Sequence, residues 1–498
     1  MKIQIDAARC TGCGICVKVC PQMILEMLDG TVQVKDEARC MGCFGCEDEC
    51  PTQAVRVLRA PQMVSEIPIE SAPENVTACD VAIVGAGPAG LGAAITCARA
   101  DLDVVVFERL PNRAISHHPD GGVLYSLPWI ASVQVQADTI TFPELDISIQ
   151  VGSTHRCDLL GLLGPDGLST DNDFPPGTTG WAVHKDRFVR ALVDEAEKAG
   201  ARVWFNAPVA DLLKEGGRIS GVKLGTGEEI RAKVVVAADG VFARISEKAG
   251  IPISHDDLWY ASVLALEYVN TTDLPGGLYY LNGDMPFDAG LPGVFGGLAI
   301  TDTIHVMVAF FTRMRTYTAP QPLDFYVHKL VESDERIRAV LGDALQGQTP
   351  TMLTGCRGVF RASCSPDTVG HGVVSVGDAW VDDGELGNVP ALANGVYAGR
   401  VIAEAARRND FSKDALNPAN EFLEPRLLKV LAENRKMKLL SAQLNEEELR
   451  QMFLFMQHMN YPIMMFGTPR QQGMMFAKFM VKNFIRFFRY PRIARLFF

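Results

Sequence analysis

The 498-residue chain has no run of about 18 uncharged apolar residues, so no membrane-spanning helix is expected. Its first residues, MKIQIDAARC, lack a basic stretch followed by an apolar one, so no secretory signal is expected there. Positive charge is in deficit: 47 Lys and Arg stand against 59 Asp and Glu, a net charge of −12. Whole-chain attraction to nucleic acid is therefore not expected. No Ser/His/Asp arrangement and no carboxylate pair stands out for acid–base catalysis, so the chemistry has to come from a bound group. What the chain does have is cysteine. There are 13, and eight of them fall within the first fifty residues. A cytoplasmic compartment disfavours disulfides, so crowded cysteines there read as metal ligands.

Their spacing is Cys10-x2-Cys13-x2-Cys16-x3-Cys20-Pro21, repeated as Cys40-x2-Cys43-x2-Cys46-x3-Cys50-Pro51. An iron–sulfur cubane needs four thiolates, three from a tight loop and one from a distant segment. Gly12, Gly14, Gly42 and Gly45 would let each loop wrap such a cluster. A pair of zinc sites is the alternative use of such cysteines. Residues 1–60 resemble a bacterial two-cluster ferredoxin over their whole length. In that family the fourth cysteine of each run serves the other cluster. The resemblance therefore implies two [4Fe–4S] clusters, one on Cys10, Cys13, Cys16 and Cys50, the other on Cys40, Cys43, Cys46 and Cys20. Cys79, Cys97, Cys157, Cys356 and Cys364 show no ligand spacing and read as small core residues.

Residues 61–78 hold three prolines, several acids and no period, which reads as a linker. Then an apolar strand at 80–84 runs into Gly85-x-Gly87-x-x-Gly90, a helical stretch, and a second strand at 103–107 ending at Glu108. This is a βαβ unit with an acid about twenty residues past the glycines, the pattern of a dinucleotide site. Gly85 makes the turn, Gly87 admits a pyrophosphate, and Gly90 packs helix on strand; Ala89 lies in the first helical turn. Glu108 would hydrogen-bond a ribose diol.

Two later segments, VVVAADG ending at Asp239-Gly240 and HGVVSVGDA with Gly377-Asp378, complete three fingerprints in order. Together they resemble the FAD-dependent hydroxylase-like superfamily. The resemblance implies FAD, with Asp378 on its ribityl chain and the turn around Gly395 and Val396 aiming helix amides at the flavin ring. Two glycines of that turn are replaced by Ala393 and Asn394, and Asn tolerates a left-handed backbone. The resemblance also places Lys185 (three residues before Phe188), Gly122, Val209 and Asp239 at the cofactor.

Within this superfamily two branches fit, both acting on greasy substrates. PDGGVLY at 119–125 resembles the electron-transfer-flavoprotein:quinone oxidoreductases and their nitrogen-fixation relatives. Geranylgeranyl reductases usually carry a Cys before the paired glycines and a Tyr-x-Trp-x-Phe-Pro motif; here His118, Pro119 and Asp120 precede Gly121, and the nearest motif, at Pro292, lacks the Trp. Low-potential clusters, in contrast, suit a flavin that must reduce an unactivated alkene. An FAD monooxygenase, the third reading, has no use for such clusters. Tyr125 and His118 are candidate proton donors for alkene reduction.

From residue 470 onward there are seven basic residues and no acid. On a helix over 476–489, Phe476, Met480, Phe484 and Phe487 are expected on one face, with Lys478, Lys482, Arg486 and Arg489 opposite. That pattern suits a helix lying in an anionic membrane surface. The methionines at 452, 456, 459, 464 and 465 read as core or as an adaptable lipid channel. The expected architecture is an α+β 2[4Fe–4S] ferredoxin domain (1–60), a linker (61–78), and an α/β Rossmann-like, hydroxylase-type FAD-binding domain (79–410). Within the last lies an interleaved β-rich substrate domain (about 250–360), and a helical region (411–498) follows. The expected partners are an external electron carrier (a ferredoxin or electron-transfer flavoprotein), a quinone or isoprenoid lipid, and the inner face of the cytoplasmic membrane.

Overall fold

The computed structural model describes residues 1–58, 76–110, 123–422 and 445–497, apart from 128, 158, 164–168, 174–178, 254–258, 273, 275–276, 282–293, 301, 313, 350, 353–354, 361–366, 381–386, 461–462 and 465–466. Most of the expected linker, Gly122, His118, Cys364, Met465 and the acidic loop after Trp380 lie outside these residues.

Residues 1–58 form two related halves. Strand Lys2–Ile5 pairs antiparallel with Val55–Leu58, tying the first half to the end of the second. A hairpin, Leu25–Leu28 with Thr31–Val34, turns at Asp29 and Gly30, both with positive φ as a tight two-residue hairpin turn requires. Short helices Ile15–Val19 and Gly45–Asp48 each follow a cysteine loop. In the first loop Gly12 and Gly14 take left-handed backbone; in the second, Gly42 and Phe44 do. Gly45, expected to help wrap the loop, is instead the first helical residue, and its missing side chain makes room for Arg357.

The second unit is built on strands Ala78–Val84 and Val104–Phe107, which are apolar without alternation because both faces are covered. They sit in a sheet ordered Arg202–Trp204, Val104–Phe107, Ala78–Val84, Glu229–Ala237, Arg218–Leu224, Val209–Glu215, with Val373–Ser375 also parallel to Glu229–Ala237. Helices Pro88–Ala98, Lys185–Lys198 and Asn388–Arg407 share one core with this sheet. Cys79, Cys97, Cys157 and Cys356 are buried.

Helices Pro88–Ala98 and Asn388–Arg407 touch through glycine. A Cβ on Gly395 would lie 1.8 Å from the Ala89 carbonyl oxygen, and one on Gly92 would lie 2.5 Å from that of Leu392. Backbone here meets backbone, so no side chain can rotate away.

The third unit is a mixed sheet ordered Ser169–Asp173, Leu159–Leu163, Gly277–Leu281, Val294–Ile300, Thr303–Thr312, Trp259–Val269, with Thr351–Met352 and Cys356–Phe360 both paired to the last. It therefore draws a hairpin from 159–173 in addition to strands from 259–360. Helix Leu323–Ser333 covers it, packing Leu323, Tyr326, Val327 and Leu330 with Ile304, Val306 and Val308.

At the C-terminal end, helices Glu446–Met456, Pro469–Arg489 and Pro491–Phe497 enclose a small core of Met452, Phe455, Met456, Met459, Phe479 and Ile493. Thr468 and Gln471 form a capping box at the start of the long helix. The expected division of this helix into one apolar and one basic face is corrected. Phe479 and Asn483 are buried, Phe487 packs with them, and Arg486 turns inward to donate to the Leu454 carbonyl at 2.7 Å. The exposed apolar stripe is Val481, Phe484, Ile485 and Phe488, at i, i+3, i+4 and i+7. Two apolar faces exist, and the pattern of one face could not separate them. Among the described residues no helix is long and apolar enough to cross a membrane.

Replacing Gly395 by Ala forces a Cβ into backbone, and the expected cost is about 1–3 kcal/mol of stability. Gly473 lies inside the long C-terminal helix with nothing within 4 Å of an added Cβ. Gly473→Ala is expected to be neutral or to stabilise by about 0.5–1 kcal/mol. Urea midpoints of the two variants check both signs.

Candidate functional site

The eight N-terminal cysteines fall into two groups in space. Burial raises the Cys16 thiol to about 11, and its neighbours Cys13, Cys50 and Cys10 push in the same direction. Burial also raises Cys46 well above the ordinary range, with Cys43, Cys20 and Cys40 beside it. So the fourth cysteine of each run sits with the first three of the other. Cys20, Cys40, Cys43 and Cys46 line one apolar cavity with Ile24, Phe44 and Val57. The other group is more open: Cys13 is exposed and Cys10 and Cys50 are half-buried.

Backbone amides point at the sulfurs. Val17 N–H offsets part of the burial at Cys16, Gly42 N–H at Cys40, and Gly45 N–H at Cys43. Burial raises the Cys50 thiol, but hydrogen bonds from Thr52 and Ala54 outweigh it and its pKa falls; Ala54 N–H lies 3.2 Å from Sγ. Among the described residues no three His, Cys, Asp or Glu side chains converge closely enough to hold a single metal ion. Four thiols spread around an apolar cavity, with amides aimed at the sulfurs, fit a [4Fe–4S] cubane rather than one zinc.

In the second unit, the three segments expected at a dinucleotide meet at one end of the sheet. Gly85 has φ 104, and a Cβ there would lie 2.3 Å from the Ala238 oxygen. A Cβ on Gly90 would lie 2.0 Å from the Gly85 oxygen. Gly87 differs: it caps helix Pro88–Ala98 with ordinary backbone, and nothing lies within 4 Å of an added Cβ. The protein's own packing does not require glycine at this position. Open space at a helix N-terminus fits a pyrophosphate passing close to the backbone. Glu108 holds the neighbouring chain, its Oε2 accepting from Ala86 N–H at 2.8 Å and its Oε1 from Leu110 N–H at 2.9 Å. Asp239 follows strand Glu229–Ala237 and accepts from Ile245 N–H at 3.0 Å, at the start of helix Arg244–Ala249. Val209 opens an outer strand of the same sheet.

Gly377-Asp378 lies against the same helix start, since a Cβ on Gly377 would approach Ala89 Cβ to 2.7 Å. The expected left-handed turn around Asn394 is corrected. Helix Asn388–Arg407 already includes Pro390, Asn394, Gly395 and Val396. Asn394 is buried, and its Oδ1 accepts the Gly377 N–H at 2.7 Å. The carboxamide clamps one fingerprint onto the next; backbone tolerance is not its use. Lys185 donates to Asn388 Oδ1, at the first residue of the same helix. Tyr125 is buried on strand Val123–Tyr125.

Sequence reading missed a polar cluster beside Lys185. His184 Nε2 lies 2.6 Å from Asp302 Oδ1, Arg187 is 3.5 Å from its Oδ2, and His305 Nε2 is 3.5 Å from Glu267 Oε2. Burial pushes the Glu267 carboxyl up against the pull of His184. His305 and Glu267 face each other in register on paired strands, while His184 comes from 118 positions before Asp302. Only the strand register could have signalled the first pair.

Residues 2–51 match the family model described as a 4Fe-4S dicluster domain, and residues 78–275 that of an FAD binding domain. The chain is 37% identical over 175 residues to the probable electron transfer flavoprotein-quinone oxidoreductase YgcN of Escherichia coli, a match spanning 35% of this chain and 38% of that protein. It is 25% identical over 393 residues to the digeranylgeranylglycerophospholipid reductase of Thermoplasma volcanium, covering 74% of this chain and 89% of the relative. Its fold resembles the crystal structure of a geranylgeranyl bacteriochlorophyll reductase-like protein from Thermoplasma acidophilum, with a TM-score of 0.62, 20% identity and coverage of 82% and 99%. Cysteine loops, fingerprints and relatives agree: the chain is an FAD-dependent iron–sulfur oxidoreductase, a ferredoxin-type 4Fe–4S dicluster domain fused to an FAD-binding domain, homologous to quinone oxidoreductases of electron transfer flavoprotein and to geranylgeranyl reductases.

Proposed function

We propose that the chain takes electrons from an external carrier through two [4Fe–4S] clusters to FAD, and passes them to a lipid-soluble acceptor of the quinone class. The observation that carries this reading is the seam between its parts. The Cys20 and Cys40 segments are hydrogen-bonded to the oxidoreductase unit: Leu323 N–H donates to the Pro21 oxygen at 2.9 Å and Gly355 N–H to the Met41 oxygen at 2.8 Å. A cluster domain bonded to the β-rich unit there, and to the flavin unit through the Arg109 and Arg244 pairs with Asp48, is placed for internal electron transfer. When bound, FAD supplies the two-electron redox chemistry.

This chain's residues bind and orient it. Gly85, Gly87, Ala89 and Gly90 present the helix N-terminus to the pyrophosphate, and Glu108 meets the adenosine ribose. Val209 and Asp239 border the nucleotide, Asp378 holds the ribityl chain, and Lys185, with Gly395 and Val396 of helix Asn388–Arg407, borders the flavin. Gly122, outside the described residues, is assigned to the cofactor by the resemblance alone. Cys10, Cys13, Cys16 and Cys50 hold one cluster, and Cys20, Cys40, Cys43 and Cys46 the other. The second reading, reduction of isoprenoid double bonds, is favoured by the longer alignment to the digeranylgeranylglycerophospholipid reductase.

The acceptor lies in a membrane, and the exposed stripe of Val481, Phe484, Ile485 and Phe488 is the surface we assign to it. Lys478, Lys482 and Arg489 lie at i, i+4 and i+11 along one flank of that stripe. An apolar stripe edged by cations suits the inner, anionic face of the cytoplasmic membrane.

Three measurements test the proposal. Gly87→Ala is expected to leave the urea midpoint unchanged while weakening FAD retention about tenfold, about 1.4 kcal/mol, read from flavin release on dilution. Dithionite-reduced protein, held anaerobically, is expected to be reoxidised by menaquinone. Failure with menaquinone, together with a mass gain of two per double bond in a geranylgeranyl lipid, selects the second reading. The protein is expected to sediment with vesicles containing anionic lipid, and Ile485→Glu with Phe488→Glu to stay in solution. Sedimentation unchanged by those substitutions removes this helix from the interface.

A further inference from the structure

Among the described residues, the seam between the ferredoxin domain and the rest of the chain carries four ion pairs. Arg39 pairs with Asp324 at 2.7 Å, Arg109 and Arg244 share Asp48 at 2.8 Å and 3.6 Å, and Arg315 pairs with Glu49. Each cation has its carboxylate. Arg357 does not: among the described residues it forms no ion pair. Yet it is only 3% exposed, on strand Cys356–Phe360. Its guanidinium donates to the Val19 oxygen at 3.1 Å and to the Arg315 oxygen, and lies 5.7 Å over the Tyr260 ring. These contacts satisfy its donors; Glu49, which is paired with Arg315, attracts it through space without forming an ion pair with it.

Its position is specific. A Cβ on Gly45 would lie 2.9 Å from Arg357 Cδ, so the side chain runs along the residue between Cys43 and Cys46. Val19, its acceptor, immediately precedes Cys20. Arg357 thus runs beside the segments that carry Cys20 and Cys43, and its charge draws both thiols down against their burial. Among the described residues the outer group has no buried arginine of this kind; Cys13 faces solvent, which screens charge.

We propose that Arg357 raises the reduction potential of the cluster held by Cys20, Cys40, Cys43 and Cys46 above that of the cluster held by Cys10, Cys13, Cys16 and Cys50. The ferredoxin domain is then a one-way relay from its exposed loop to the seam. This rests on the reading that the eight cysteines hold two clusters. Reducing a cluster adds negative charge, which burial alone disfavours; a buried cation with no ion-pair partner of its own offsets that penalty. One electron, supplied by an external low-potential carrier, leaves the outer cluster, oxidised by one, and reduces the inner cluster by one.

The experiment is an EPR-monitored redox titration of the full-length holoprotein, after iron and sulfide analysis. Eight irons per chain confirm the loading; fewer would sink the two-cluster reading itself, separately from this proposal. Two one-electron steps are expected. Arg357→Gln is expected to lower only the higher step by about a factor of ten in the one-electron equilibrium, about 59 mV, while Arg357→Lys stays near the parent value. Asp324→Asn, which frees Arg39 beside Cys40, is expected to raise the same step. If Arg357→Gln shifts neither step, shifts both equally, or shifts the lower one, the proposal is overturned. Should Arg357→Gln fail to load, Asp324→Asn decides: no upward shift of the higher step overturns the proposal.

Discussion

Everything in the flavin unit depends on one close approach between backbones. Helices Pro88–Ala98 and Asn388–Arg407 are some three hundred positions apart in the chain, yet Gly395 sits against the Ala89 carbonyl and Gly92 against that of Leu392. Contact at this distance is possible only without side chains. It sets the first turn of helix Pro88–Ala98, where partial positive charge accumulates, against the Leu392–Val396 stretch of helix Asn388–Arg407 at one end of the parallel sheet. Asn394 then draws Gly377-Asp378 to the same place through the Gly377 N–H. The sheet supports the same convergence, since strand Glu229–Ala237 pairs with both Ala78–Val84 and Val373–Ser375.

A second constraint operates at the ferredoxin seam. Its paired charges place carboxylates in nearly dry positions: Asp48 and Glu49 keep 10% and 2% of their side-chain surface, while their arginine partners stay far more open. Such pairs contribute little net stability, because desolvation consumes most of the attraction. Their value is positional. A carboxylate stranded without its arginine is costly, so alternative dockings of the domain are disfavoured. The fixed docking in turn keeps the Cys20 and Cys40 segments against the oxidoreductase unit and leaves the Cys10–Cys13 loop outside.

Much of this was legible in the chain, for physical reasons that differ by element. Cysteine runs are legible because cluster geometry demands fixed local spacing. The Gly85–Gly90 turn is legible because the strand, turn and helix are contiguous. Asn394 was misread because its reason is nonlocal: a family pattern asks for glycine there, and only the folded chain shows the amide it accepts. Gly45 was misread likewise, since the glycine serves a residue more than three hundred positions away. Arg357 carried no signal at all. A single arginine in a β-run looks like an exposed edge charge until the second domain is seen to cover it.

The C-terminal helix shows the same limit in another form. Periodicity reveals that a helix has apolar residues at helical spacing, not how many partners they serve. Phe479 and Asn483 face a small core with Phe455, and Val481, Phe484, Ile485 and Phe488 face away from it. A helix docked on its own protein would conceal one stripe and leave the other polar. One that docks and also meets a greasy phase needs both, and must place its cations at the border between stripe and solvent. Lys478, Lys482 and Arg489 occupy that border, while Arg486, the basic residue on the docked side, spends its charge on the Leu454 carbonyl. The whole-chain charge of −12 includes seven cations and no acid from residue 470 onward, so the residues before it carry −19 and this helix is opposite in sign to the rest of the chain.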